Sequence, residues 1–299
     1  CEMVRPRLER QTKSARPLAT TGHRNFFQQI SSGSSASRRC ARKNLAGEVN
    51  FARKNFYFQP RSDCYCSRVR TILIATHNKH KAGEIQQILG GEFQLLTLDN
   101  FIGAPRVIEN ADSFAGNATK KALELAHWLV QDDTKFQTKS AKLEFVLADD
   151  SGLKVDALNG APGVHSARFA AMDSGKSGNS PDADNNAKLL KLLEKVPAEK
   201  RTARFRCVIA LTFVPTARVE SASPTCFADE FETQIFDSVC RGKILSAPRG
   251  QNGFGYDPLF VPDGYEQTFA ELGDDAKNKI SHRAMALAKL KDYFSKLPS

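Results

Sequence analysis

The sequence predicts an α/β protein built on a mixed β-sheet and arranged in two lobes. Three observations carry this. Short apolar runs alternate with helical periodicity from residue 70 to about 150, the pattern of strands joined by crossover helices. Two long strand-like runs, 204–214 and 233–240, then follow one another, as antiparallel neighbours do. No internal repeat interrupts the succession.

Order begins at Arg70. Thr71-Ile-Leu-Ile-Ala75 reads as a short buried strand. Asn78 to Leu89 reads as a helix with Ile85, Ile88 and Leu89 on one face and Gly90-Gly91 to end it. Phe93–Leu98 is a second strand. Asp112 or Ser113 caps a helix running to Val130, with Phe114, Ala118, Leu125 and Leu129 as its buried stripe. Phe145–Ala148 is a strand that leads straight into Asp149-Asp150-Ser151-Gly152. Ala187–Leu193 is helical, and a last helix spans about His282 to Leu297.

Of the 299 residues, 41% are hydrophobic and 25% charged, ordinary for a globular chain with a sizeable core. No run of eighteen apolar residues is present, so no membrane helix is expected. The net charge of +10 points at first to nucleic acid, but its location removes that hint for the body. Residues 1–70 hold 15 basic and 4 acidic residues; the remainder holds 28 and 29. Residues 1–69 therefore form a basic, Ser- and Arg-rich extension, either disordered or transit-like, ahead of a domain spanning 70–299. A cytoplasmic protein is expected, or a mitochondrial or plastid one if the extension is a transit segment. The seven cysteines show no disulfide or zinc spacing and are expected to be reduced thiols.

Three clusters carry chemistry, each with a plainer alternative. Thr76-His-Asn-Lys-His-Lys81 opens a helix after a strand, which suits phosphate binding by backbone N–H groups and lysines; a solvated lysine-rich helix start reads equally. Asp149-Asp150-Ser151-Gly152 places two carboxylates at a strand end, where a divalent cation would relieve their repulsion; a strand-ending turn is the alternative. Gly250–Pro258 (GQNGFGYDP), followed by Lys277–Arg283 (KNKISHR), offers glycines for close approach, the flat face of Phe254 for a base, and donors at His282 and Arg283. A glycine-rich hairpin and a polar helix cap would also account for it. Gly175-Lys176-Ser177 looks like the end of a P-loop, but Ala170 stands where its first glycine belongs and no strand precedes it.

Taken together, these clusters resemble the inosine triphosphate pyrophosphatase family, the RdgB/Ham-like pyrophosphatases of non-canonical purine nucleotides. The resemblance covers about residues 70–295. It runs from Thr76, Asn78 and Lys81 through Glu109, Ser113-Phe114, Asn117-Ala118 and Lys121 to Asp149–Leu153 and Val155–Leu158. It continues with Gly160, Pro162–Val164, Ser166–Phe169, Gly253–Pro258, Thr268, Ala270–Leu272, Lys277 and Ile280–Arg283. Ser113 stands where the family usually has Thr. Segments 131–143, 172–184 and 216–232 are longer than its compact pattern needs, and are expected to be mobile loops, as is 1–69.

The resemblance implies an elongated two-lobed fold with a central mixed sheet and a cleft between the lobes. It implies a homodimer that converts ITP, dITP or XTP to the monophosphate and pyrophosphate with Mg²⁺, or Mn²⁺ in its place. Glu109 and Asp150 are then the metal ligands, and Asp150 is the base toward water with Asp149 beside it. Thr76, Asn78, Lys81, Lys121 and Ser151 contact the triphosphate. Phe254, Gly255, Tyr256, Asp257, Lys277, His282 and Arg283 form the base and sugar pocket. Donors at His282 and Arg283 favour the C6 carbonyl of hypoxanthine and xanthine over the amino group of adenine. Two alternatives remain: a Maf-like pyrophosphatase of modified pyrimidine or methylated nucleotides, and a basic nucleic-acid-binding protein acting through residues 1–69. On the family reading, neither a membrane nor a specific nucleic acid is a partner.

Overall fold

The computed structural model describes residues 69–101, 103–131, 143–175, 178–215 and 231–297. The basic extension up to residue 68, most of the expected loops at 131–143 and 216–232, and five of the seven cysteines lie outside the described residues. Cys207 and Cys240 are free and buried.

One six-stranded sheet organises the described residues: β1 (Thr71–Ile74), β2 (Gln94–Thr97), β3 (Leu143–Val155), β4 (Thr202–Phe213), β5 (Thr233–Ile244) and β6 (Phe260–Pro262). Its spatial order is β2-β1-β3-β4-β5-β6. The first three strands are parallel and the rest antiparallel, so the sheet is mixed. The helices are α1 (Lys79–Leu89), α2 (Phe114–Val130), α3 (Ala171–Ser174), α4 (Asp182–Leu192), α5 (Phe269–Ile280) and α6 (His282–Lys296).

Helix starts follow local chemistry. The Asn78 side chain accepts from the His80 and Lys81 N–H groups, and that of Ser113 from the Gly116 N–H, so each satisfies donors that the first turn leaves open. Strand alternation then divides the core. Ile72, Ile74, Leu147, Cys207 and Ile209 face α1 and α6. Leu73, Val146, Ala148, Val208 and Ala210 face α2. Further along β3 and β4, Leu153, Val155, Ala203 and Phe205 join a third core with Leu189, Tyr256, Phe260 and Phe269. The long strands thus link two regions of core, which is the physical content of the two-lobed expectation.

Four readings change. β3 does not end at the acidic pair but continues through it to Val155, because β4 pairs with it throughout. The 172–184 segment is not simply a loop: α3 enters it, and α4 begins at Asp182, its first turn carrying Asp182 and Asp184. Helix α5 has no counterpart in the reading by periodicity. Its signal was a capping box, in which the Thr268 hydroxyl accepts from the Glu271 N–H and the Glu271 carboxylate from the Thr268 N–H. The short strand β6 was likewise missed.

Candidate active site

Consecutive strand residues point to opposite faces, and this separates the two aspartates. β1 ends at Ile74, paired with Leu147, so β3 passes beyond the parallel part of the sheet two residues before Asp149. Asp149 then points toward α1 and α6, and Asp150 toward α2. The sequence argument that the pair repel one another is replaced by two distinct environments.

Asp149 is enclosed by donors. Its carboxylate lies 2.6 Å from Lys81 Nζ and 3.1 Å from Arg283 Nε, and accepts from Cys207 Sγ at 2.9 Å and Ser151 Oγ at 3.1 Å. Burial alone would raise its pKa, but Arg283 and Lys81 hold the carboxyl well below the usual range. Burial and Asp149 push the Cys207 thiol well above its ordinary value, so it stays a protonated donor.

Asp150 has a looser setting. Asn117 Nδ2 donates to it at 3.0 Å, and Lys121 Nζ lies 3.8 Å away. The same ammonium reaches Glu109 at 3.3 Å and donates to the Asp149 carbonyl at 2.5 Å. Burial raises the Asp150 pKa against the pull of Lys121 and Lys81, and Glu109 adds to the rise. A buried carboxylate with an elevated pKa is suited to taking a proton. Lys81, Lys121, Glu109, Asp149, Asp150 and Ser151 are therefore brought together in one cluster. Thr76 and Asn78 do something more local. Thr76 Oγ1 accepts from the Asn78 N–H at 3.1 Å, and Asn78 caps two of the amides that a phosphate would use.

Several residues of the expected base pocket are engaged by other protein groups. Arg283 is fully buried, bound to Asp149 and Glu84, and donates to Ser151 Oγ at 2.8 Å. Its guanidinium is thus committed to carboxylates. Lys277 lies 2.6 Å from both Glu84 and Asp257, with Nζ 4.5 Å from the centre of the Phe254 ring. Burial opposes its charge, yet Asp257 and Glu84 raise its pKa, so it stays an ammonium. Asp257 also accepts from the Phe254 N–H at 3.0 Å, an approach open only because Gly253 lacks a Cβ, which would meet Asp257 Oδ2 at 2.3 Å. His282 stacks on Phe205 at 4.8 Å, and its buried Nδ1 has no hydrogen-bond partner among the described residues. Burial, then Arg283 and Lys277, keep this imidazole neutral. Tyr256 and Gly255 sit behind the pocket. The Tyr256 hydroxyl donates to the Ser166 carbonyl at 2.9 Å within the third core, and the Gly255 N–H donates to Asp182 at 2.6 Å.

The sequence pattern of the Ham1 family matches residues 72–293. This chain belongs to the Ham1 family. Among its relatives, a dITP/XTP pyrophosphatase of Desulforamulus reducens is 43% identical over 227 residues, covering 76% of this chain and 96% of the relative. One of Geobacter sulfurreducens is 44% identical over 223 residues, covering 74% and 95%. Of solved structures, a HAM1 protein from Coxiella burnetii has a TM-score of 0.58 at 35% identity, covering 77% of this chain and 100% of that one. The Ham1 protein of Staphylococcus aureus has a TM-score of 0.57 at 31% identity, covering 76% and 98%. The family fold accounts for the mixed α/β sheet described above.

Sequence reasoning overlooked Glu84, which ties Lys277 and Arg283 together from α1. Its signal was present: a carboxylate directly before Ile85, on the buried stripe of an otherwise amphipathic helix. Cys207, expected only to be a reduced thiol, is brought to the acidic pair by the register Ser151↔Cys207.

Proposed function

We propose that the chain hydrolyses non-canonical purine nucleoside triphosphates, dITP, ITP and XTP among them, to the monophosphate and pyrophosphate. The observation that carries this is the unequal acidic pair. Asp149 is neutralised by Lys81 and Arg283, while Asp150 faces Glu109, Asn117 and Lys121 with a raised pKa.

Among the described residues no three His, Cys, Asp or Glu side chains are grouped to hold an ion. Two carboxylates do converge on one ammonium, Glu109 at 3.3 Å and Asp150 at 3.8 Å from Lys121 Nζ. Two hard oxygen donors, completed by phosphate oxygens and water, fit Mg²⁺, with Mn²⁺ as a substitute. Glu109 and Asp150 would hold that ion, which supplies charge neutralisation on the triphosphate when bound.

In the reaction a water oxygen bonds to the α-phosphorus as the bond from phosphorus to the bridging oxygen breaks, and pyrophosphate departs. Asp150 takes the water proton. Lys121 and Lys81 offset charge on the phosphates. Asn117 fixes the Asp150 carboxylate, and Asp149 keeps Lys81 in place. At the other end Phe254 offers a stacking face, while Lys277 and the unpartnered His282 ring nitrogen offer polar contacts to the base. We also propose a homodimer, which sedimentation would test.

The decisive experiment measures pyrophosphate release from ITP, dITP, XTP, ATP, GTP, UTP and 7-methyl-GTP, with and without Mg²⁺. Strong preference for the first three, dependent on the ion, is expected. Preference for UTP or 7-methyl-GTP would overturn the ITP, dITP and XTP reading in favour of a Maf-like activity.

A further inference from the structure

We propose that His80 is a second stacking wall for the substrate base, opposite Phe254. The proposal rests on the purine triphosphate reading above and deepens it. The imidazole lies over the Phe254 ring with centroids 5.2 Å apart and planes inclined by 16°. Two aromatic faces from distant parts of the chain, the first turn of α1 and the 250–258 turn, are thus already parallel.

The two rings differ in freedom. Phe254 is half-buried, with Lys277 Nζ 4.5 Å from its centre, and that lysine is anchored by Glu84 and Asp257. His80 is exposed, and among the described residues its side chain makes no hydrogen bond or ion pair, while its backbone N–H is held by Asn78. A base between parallel rings needs a spacing of roughly 7 Å, two van der Waals distances. The ring centroids, now 5.2 Å apart, must therefore separate by at least about 2 Å, which side-chain rotation of an exposed histidine supplies without moving α1. His80 adjoins Lys81, which points inward to Asp149 from the same turn. One helical turn thereby addresses both ends of the substrate: Lys81 its phosphates and His80 its base. His80 is a base-binding residue and takes no part in proton transfer.

The test compares His80→Ala and His80→Phe with the parent. His80→Ala should raise KM for ITP about five- to tenfold, the low end of base–aromatic stacking, with kcat within about twofold. His80→Phe should stay within about twofold of the parent in both. Inhibition by inorganic tripolyphosphate, which lacks a base, should be unchanged in either variant. An unaltered or lower KM in His80→Ala would make the histidine a mere placeholder and overturn the proposal, as would a parallel loss of tripolyphosphate affinity. Independently of turnover, ITP but not tripolyphosphate should quench the indole introduced by His80→Trp, and absence of quenching also overturns it. A parent that binds ITP in this way without hydrolysing it would refute the functional reading alone.

Discussion

Replacing each aspartate by asparagine should have unequal consequences for stability, because the two face different surroundings. Asp149 is fully enclosed and engages two cations, a thiol and a hydroxyl. Asp149→Asn removes the negative charge and turns an amide toward Lys81 or Arg283, donor against donor. Breaking a buried ion pair from one side costs about 3–5 kcal/mol. Arg283 keeps Glu84, so the lower end, about 3 kcal/mol, is expected. Against a typical stability of about 5–15 kcal/mol the variant should still fold, but with its urea midpoint lowered by about 1–2 M. Asp150 is the reverse case. Burial penalises its charge, so Asp150→Asn relieves a cost and should lie within about 1 kcal/mol of the parent. Urea unfolding followed by fluorescence of Trp128, the single tryptophan, measures both. Equal stability of Asp149→Asn and parent, or a larger loss in Asp150→Asn, would refute the division of roles.

The same division fixes activity and pH behaviour. Asp150→Asn should lower kcat for ITP by about 10²–10⁴-fold while KM changes little, as for loss of a general base; near-parental turnover would remove Asp150 from that role. His282 is held neutral well below its ordinary pKa of 6.5, so the unfolded chain binds a proton there that the folded chain does not. Its contribution is therefore constant above about pH 6.5 and becomes destabilising below it, at up to about 1.4 kcal/mol per pH unit until the folded pKa is reached. His282→Phe, which keeps the stack on Phe205, should flatten urea midpoints between pH 6.5 and 5; an unchanged slope would exclude His282 as its source. Gly152→Ala places a Cβ 2.6 Å from the Gly163 carbonyl and 2.4 Å from Ser166 Oγ, so a loss of about 1–3 kcal/mol is expected, read by the same unfolding assay.

Legibility in the sequence followed the range of the interactions concerned. The N-caps Asn78 and Ser113, the all-buried β1 and the stripe on α2 are set within a few residues, and each stands where residue pattern places it. What pattern could not supply was register. Whether Asp149-Asp150 stops a strand or continues it depends on β4, more than fifty residues later, pairing Asp149 with Ile209 and Asp150 with Val208. That single fact turns an expected repelling pair into two carboxylates on opposite faces. The same limit hid Glu84, whose meaning appears only when α5 and α6 bring Lys277 and Arg283 against it. Arg283 shows the consequence most directly. As a sequence motif it offers free donors for a base, but in the fold Asp149, Glu84 and Ser151 engage four of its five N–H groups. On the proposed function, the groups left to contact the base are the Phe254 face, Lys277, the orphaned nitrogen of His282 and the exposed ring of His80. The ionic frame of Asp149, Glu84, Lys81 and Arg283 is better understood as what holds those groups and Asp150 in place while the substrate enters.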